Sequence, residues 1–521
     1  MNSCRKKTPP NILFFFTDMQ RFDTIGALNN PLIQTPALDR LAREGVAFEN
    51  AFSPSPVCVP ARCSMHYGLY PQRTRVYENR AMMDDNGASL PARLGAAGYR
   101  THAVGKCHFT PDARALRGFQ TRRIQEECIS DPAQDDYVAW LRDHGYDYYE
   151  PHGARGEMYY IPQISTLPVE AHPSHWIGDE TLRFLREEGV KSRPWFVFSS
   201  FIHPHPPFAP PKPWHKLYRL PEMPTPFLPE HCAELQVWIN RCQNRYKYRD
   251  RGLDLQLLRL MRAYYYATIS FVDAQIGRVL AALEAMGALE DTLVLFGSDH
   301  GELLGDYGSF GKRSMHDPSA RVPLLARLPG RFPAGARCAT AVSLVDVMPT
   351  LLASANVPLE GSDLDGVDLA GVAAGRGPDD RIVYAQYESG PKGVYMAVNR
   401  RWKYVWSAGD ECEFFFDRER DPREAVNLAG TAPSSIQAEA LETMRADLLA
   451  FLARNGETAA VEDSGTALRW RRYGKLDEAY LADPDAGLLV QDYPPPEAAA
   501  LTHLPDSARR YRWLTERQPT A

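Results

Sequence analysis

Four short apolar runs, each ending at a charged or imidazole side chain, constrain this chain more than any other feature. Asn11-Ile12-Leu13-Phe14-Phe15-Phe16-Thr17-Asp18 is continuous rather than alternating. Such a run suits a strand buried on both faces, as in a parallel sheet covered by helices. Residues 99–105 lead to Lys106-Cys107-His108, residues 195–201 to His203-Pro204-His205-Pro206-Pro207, and residues 292–298 to Asp299-His300. Between them lie helical patterns at 36–44 (closed by Gly45, read as a C-cap), 89–97, 176–187 and 255–286. In the last, Tyr264, Ile269, Val272, Ile276 and Leu280 form a stripe read as core. Residues 46–52 read as a further strand. This alternation predicts an α/β sandwich around a large, mostly parallel sheet. Ligands bind beyond the carboxyl ends of such strands, so four polar strand ends predict one active-site edge.

Beyond residue 376 the pattern changes to short strands at 381–387, 393–398, 402–406 and 413–417 and a helix at 434–453. That reads as a small antiparallel sheet with a helix across it. The expected organisation is a catalytic domain over 1–376, an α+β subdomain over 377–455 and a weakly patterned tail over 456–521. The tail is long enough to wrap the body or a neighbouring subunit, which leaves a homo-oligomer open.

The 521 residues carry a net charge of −6, which argues against a nucleic-acid partner. An anionic ligand remains compatible, because a local cluster of cations can set the field in a cleft. Nine cysteines, an odd number without a C-x-x-C pair, suit a reducing compartment rather than a disulfide framework. The apolar run 12–16 is too short for a signal peptide, and no stretch approaches the roughly 20 apolar residues of a membrane span. These features predict a cytoplasmic protein.

The chemistry centres on Pro54-Ser55-Pro56-Val57-Cys58-Val59-Pro60-Ala61-Arg62-Cys63-Ser64-Met65-His66-Tyr67-Gly68. Cys58 closes a proline-rich approach ahead of a helix-compatible run over 61–69, and a helix N-terminus attracts anions. Arg62, one turn on, offers a fork suited to a tetrahedral oxyanion. A buried free cysteine ahead of a helix would fit the stretch equally well.

Cys58-Val59-Pro60-Ala61-Arg62 resembles the C-x-P-x-R signature of the formylglycine-dependent (type I) sulfatases of the alkaline phosphatase superfamily. The resemblance runs over residues 11–430, through Ser343-Leu344-Val345-Asp346-Val347-Met348-Pro349-Thr350 and Asp421-Pro422-Arg423-Glu424. It implies that a maturation enzyme oxidises Cys58 to formylglycine, whose hydrate is the nucleophile. It also implies a divalent metal held by Asp18, Cys58, Asp299 and His300. Carboxylate oxygens suit Ca2+, and the imidazole also admits Mn2+. Many family members place a second carboxylate or amide directly after the first Asp, whereas here Met19 and then Gln20 follow.

Gly105-Lys106-Cys107-His108 resembles the family's G-K-x-H motif. Residues two apart on extended backbone point the same way, which would bring Lys106 and His108 into one site. By resemblance Lys106 neutralises a sulfate oxygen, and His108 removes a proton from the second hydroxyl of the sulfated hydrate. Pro204-His205-Pro206-Pro207 makes His205 the general acid, with His203 read as structural. Gly311-Lys312-Arg313-Ser314 places Lys312 beside His205 at the bridging ester oxygen, and Asn79 matches a position contacting the substrate oxyanion. His66, His175 and His316 are further pocket candidates that spacing does not separate from structural histidines. Tyr67-Gly68 stands where the family often has Thr-Gly, a departure that bears on recognition by the maturation enzyme.

The resemblance thus implies a sulfatase acting on an aryl or carbohydrate sulfate monoester. The alternative is a phosphonate monoester or phosphodiester hydrolase, a cousin group that typically lacks the G-K-x-H pair. A binding protein that kept the fold and lost turnover is the reading from another class, supported only by Met19. Segments 146–176 and 208–242, rich in Tyr, Trp, Pro and His, are the expected pocket rim.

Overall fold

The N-terminal apolar run becomes the centre of the main sheet. A computed structural model of the protein describes residues 9–127, 132–146, 151–153, 160–188, 193–248, 254–431 and 434–476. The main sheet contains β1 (Asn11–Asp18), β2 (Val46–Phe48), β3 (Arg100–Gly105), β4 (Thr121–Ile124), β5 (Trp195–Pro204), β6 (Thr292–Ser298), β7 (Leu324–Arg327) and β8 (Ala336–Cys338). Their order across the sheet is β8-β2-β7-β6-β1-β5-β3-β4. Neighbours run parallel except at β7, which is antiparallel to both β6 and β2.

Why β1 is apolar from Ile12 to Phe16 follows from its place. Ile12, Phe14 and Phe16 pack with Phe196, Phe198 and Leu295 on one face. Leu13 and Phe15 pack with Val197, Trp176 and Ile276 on the other. Helices Pro173–Glu188 and Leu255–Ala285 cover that second face, with Val272, Ile276 and Leu280 buried there as the stripe predicts. Ile269 is buried in an adjacent cluster, while Tyr264 is half-buried.

Several expectations need correction. Residues 46–52 are two strands, because the chain turns at Glu49-Asn50. Ala51–Phe52 joins a separate three-stranded sheet with Arg321–Val322 and Val342–Ser343. Gly45 is the C-cap of its helix, as read, but in extended rather than left-handed backbone; a Cβ there would lie 2.2 Å from the carbonyl oxygen of Ala326. The motif helix begins earlier than expected, at Cys58 itself, and ends at Tyr67 with Gly68 left-handed.

The C-terminal sheet is antiparallel, formed by β9 (Val383–Tyr387), β10 (Val394–Val398), β11 (Trp402–Ser407) and β12 (Cys412–Asp417). The helix Ser435–Arg454, started by a Ser434/Gln437 capping box, packs on it. The tail is patterned at its start, since β13 (Val461–Asp463) pairs with β14 (Leu468–Trp470) and Trp470 stacks on Trp406. Residues 477–521 of the tail lie outside the described residues, as do 147–150 and 154–159 of the expected rim. Among the described residues no helix is long and apolar enough to cross a membrane.

Candidate active site

Three strands of the main sheet and one helix start converge on one buried point. Asp18 closes β1, Asp299 and His300 follow β6, Lys106 follows β3, and Cys58 is the first residue of the helix Cys58–Tyr67. The N-cap Val57 is extended and offers no side-chain cap. Asn79 serves the helix start instead, its Oδ1 accepting the Val59 N–H at 2.9 Å.

The Cys58 Sγ lies 2.8 Å from Lys312 Nζ, 3.2 Å from His300 Nε2 and 3.8 Å from Asp18 Oδ1. One ligand atom from each of Asp18, Cys58, Asp299 and His300 falls within 4.8 Å of the others. His300 Nδ1 lies 3.0 Å from the Gly301 carbonyl, which can only accept; Nδ1 therefore carries the proton and Nε2 keeps its lone pair for a ligand. Burial and the neighbouring charge of Asp18 push Asp299 up to about 6. Two buried carboxylates and an imidazole nitrogen facing one spot form a donor set that fits a divalent cation.

Positive charge closes round that spot. Lys106 Nζ is 2.8 Å from Asp18 and 2.6 Å from Glu127. Arg62 donates to Asp299 at 2.9 Å, to Asp18 at 3.1 Å, to the Lys106 carbonyl at 2.7 Å and to Ser200 Oγ at 3.1 Å. The fork expected to meet an oxyanion therefore holds the two carboxylates. Burial would raise Asp18, but Lys106, His205, Arg62 and Lys312 outweigh it and hold its carboxyl well below the usual range. Burial and Asp18 likewise push the Cys58 thiol up, and Lys312, Lys106 and His300 bring it below its ordinary value. Burial dominates at the other two thiols nearby, lifting Cys63 to about 12 and Cys107 to about 11.

His205 is buried beyond β5, with Nε2 3.5 Å from Lys312 Nζ. Its Nδ1 lies 2.8 Å from the Pro206 carbonyl and 3.3 Å from Glu127 Oε1. Burial holds its pKa well below the usual histidine value, against the pull of Glu127. Lys312 thus stands between Cys58 and His205.

The extended-backbone argument for pairing Lys106 with His108 fails. β3 stops at Gly105, whose φ of +87° leaves the strand geometry, and His108 itself has φ +57°. The backbone N–H groups of Cys107 and His108 both donate to Glu126. The His108 Nδ1 has no hydrogen-bond partner among the described residues, and burial with Lys106 brings the ring to about 4.

The other histidines sit apart from the site. His66 is core, edge-on to Phe109, Phe119 and Phe198. His175 faces Asp179 and Arg278. His316 is tied to Glu424 and the Leu235 carbonyl. His203 meets Ser174 Oγ at 3.2 Å, a structural setting as expected. Gln20 contacts Thr24 and Ser298, and Met19 donates its N–H to Asp299.

Glu127 is the site residue that sequence reasoning missed. It follows β4, so the rule that found the other strand ends would have found it had Thr121–Ile124 been recognised as a strand.

Comparison with known proteins agrees with this geometry. The sulfatase family model matches residues 10–357. This chain belongs to the sulfatase family. Its members are sulfuric ester hydrolases, and the chain has the alkaline-phosphatase-like fold. A second model, N-sulphoglucosamine sulphohydrolase C-terminal, matches residues 305–450 and so includes the C-terminal sheet. An arylsulfatase of Clostridium perfringens is 30% identical over 80% of this chain and 90% of its own length. A choline-sulfatase of Rhizobium meliloti is 31% identical over 90% of this chain and 91% of its own. Among solved structures, a phosphonate monoester hydrolase of Agrobacterium radiobacter superposes with a TM-score of 0.72. It is 26% identical, over 89% of this chain and all of that one.

Proposed function

We propose that this sulfatase-family protein hydrolyses an aryl or carbohydrate sulfate monoester, with residue 58 carrying the nucleophile. The observation that carries the reading is the position of Cys58: first in a helix, 2.8 Å from Lys312, and grouped with Asp18, Asp299 and His300. Oxidised to formylglycine by a maturation enzyme, the side chain presents as its hydrate one hydroxyl to attack sulfur and a second to be deprotonated as sulfate leaves. Asp18, Asp299, His300 and residue 58 would hold a divalent cation, Ca2+ by the carboxylates or Mn2+ by the imidazole. Such an ion neutralises sulfate charge and acidifies a neighbouring hydroxyl.

The chain's own groups do the rest. Arg62 orients both metal-facing carboxylates, and Lys106 sets its charge beside Asp18. Lys312 and His205 face the bridging ester oxygen, where His205 gives a proton to the leaving group. His108, neutral at pH 7, suits the role of base toward the second hydroxyl. Asn79 borders the sulfate at the helix start.

The likeness to a phosphonate monoester hydrolase favours a second reading, a phosphonate ester substrate at the same site. Enzyme co-expressed with a maturation factor and loaded with Ca2+ or Mn2+ is assayed on nitrophenyl sulfate and on a nitrophenyl phosphonate monoester. Cys58→Ala serves as blank, and a chelated sample tests the metal. A sulfate preference, lost in both controls, is expected. A phosphonate preference transfers the assignment to the second reading, and full activity of Cys58→Ala refutes both.

A further inference from the structure

We propose that Glu127 is the positioning residue of His205, a carboxylate that orients the imidazole and sets a negative charge behind it as it gives up its proton. The proposal rests on the general-acid role given to His205 above. Glu127 lies between two functional cations or potential cations: Oε2 is 2.6 Å from Lys106 Nζ, and Oε1 is 3.3 Å from His205 Nδ1. Its side chain is 5% exposed, so the charge is only weakly screened by solvent.

The geometry dictates which imidazole nitrogen does what. Nδ1 lies against two acceptors, the Pro206 carbonyl and Glu127, which place a proton on it in the neutral ring. Nε2 then faces Lys312, which in turn reaches Cys58 Sγ. To act as an acid there, Nε2 must be protonated too, which makes the ring a cation. Lys312 and Lys106 oppose that cation, while Glu127 and Asp18 favour it, and Glu127 is the carboxylate in contact with the ring. Without Glu127 the two lysines act with less opposition, and a smaller fraction of His205 carries the Nε2 proton that the leaving group needs. No bond to Glu127 forms or breaks; the proton moves from His205 Nε2 to the ester oxygen.

This role leaves a signature that loss of packing does not. A leaving group that departs readily as an anion needs little acid, whereas a poor one needs the proton. Glu127→Gln keeps the shape and removes the charge. It is compared with wild type on nitrophenyl sulfate and on phenyl sulfate, each with the metal-loaded, matured enzyme. General acid catalysis contributes roughly 100-fold or more, so we expect about a 10-fold or greater extra loss on phenyl sulfate. Because both rates come from one preparation, their ratio is independent of the folded fraction. If Glu127→Gln is insoluble, Glu127→Asp provides the same ratio, expected between wild type and full loss of the charge.

His205→Ala separates the inference from the reading beneath it. A large extra loss on phenyl sulfate in both His205→Ala and a Glu127 variant supports the proposal. The effect in His205→Ala with an unchanged ratio in the Glu127 variants overturns Glu127 alone. An unchanged ratio in His205→Ala overturns the acid assignment, and the proposal with it.

Discussion

His66 and Lys312 are both buried cationic-capable side chains, and their surroundings decide opposite roles. Neither ring nitrogen of His66 has a hydrogen-bond partner among the described residues, and burial beside Arg62 lowers its pKa to about 3. An unfolded histidine protonates near ~6.5. Between these values the unfolded chain binds a proton that the folded one does not, so stability falls as pH drops through that window. His66→Leu, close to volume-conserving, is therefore expected to remove a slope of up to about 1.4 kcal/mol per pH unit below pH 6.5. Denaturant titrations at several pH values read it, and parallel slopes in the two proteins contradict it. For Lys312, between Cys58 and His205, we expect Lys312→Met to fold normally and lose about 100-fold or more in kcat, as measured on nitrophenyl sulfate. Retained turnover removes it from the reaction. The strand-end and motif residues Asp18, Cys58, Asp299 and His300 were legible because each ends an apolar run or sits in the motif. The left-handed turn at His108 has no comparable sequence mark.

At the scale of elements, the central strands declared themselves and the outer ones did not. β1, β5 and β6 are buried on both faces, so burial itself writes a continuous apolar run. β4, at the sheet edge, buries only Arg122 and Ile124 and leaves Thr121 and Arg123 half-exposed. Its Thr-Arg-Arg-Ile sequence carries no such run, and Glu127 was lost with it. β7 and β8 are four and three residues long, too short for a period to show. The end of β3 tests how the sheet aims its side chains. Gly105 combines φ +87° with a Cβ position 1.9 Å from the Ser200 carbonyl oxygen. Gly105→Ala is expected to cost about 2 kcal/mol or more and to displace Lys106 from Asp18. The unfolding midpoint and the metal affinity should fall together; an unchanged midpoint would contradict the close approach.

Across the whole molecule, the C-terminal sheet is joined to the catalytic body by buried charge. Lys403 on β11 meets Asp317 at 2.5 Å and also Glu424, while Arg418 meets Asp317 at 2.9 Å. Asp317 lies five residues beyond Lys312, so the junction anchors the segment that delivers a site lysine. Lys403→Met leaves buried carboxylates short of a partner and is expected to cost about 3–5 kcal/mol. Arg401→Met, at the half-exposed pair with Asp417, should stay within about 1 kcal/mol. Equal shifts in thermal unfolding would show that burial does not distinguish the two pairs. The division into large sheet and small sheet was legible from the change of pattern near residue 376. The ion pairs joining them were not, because their partners are distant in sequence.

The central claim is that turnover belongs to a modified residue 58, and one measurement addresses it directly. The fraction of the Cys58 peptide carrying the aldehyde is determined by mass spectrometry in preparations made with and without a maturation enzyme. Each fraction is set against kcat for nitrophenyl sulfate in the same metal-loaded preparation. The account predicts proportionality through the origin. Full turnover from a preparation whose Cys58 is wholly unconverted would contradict it.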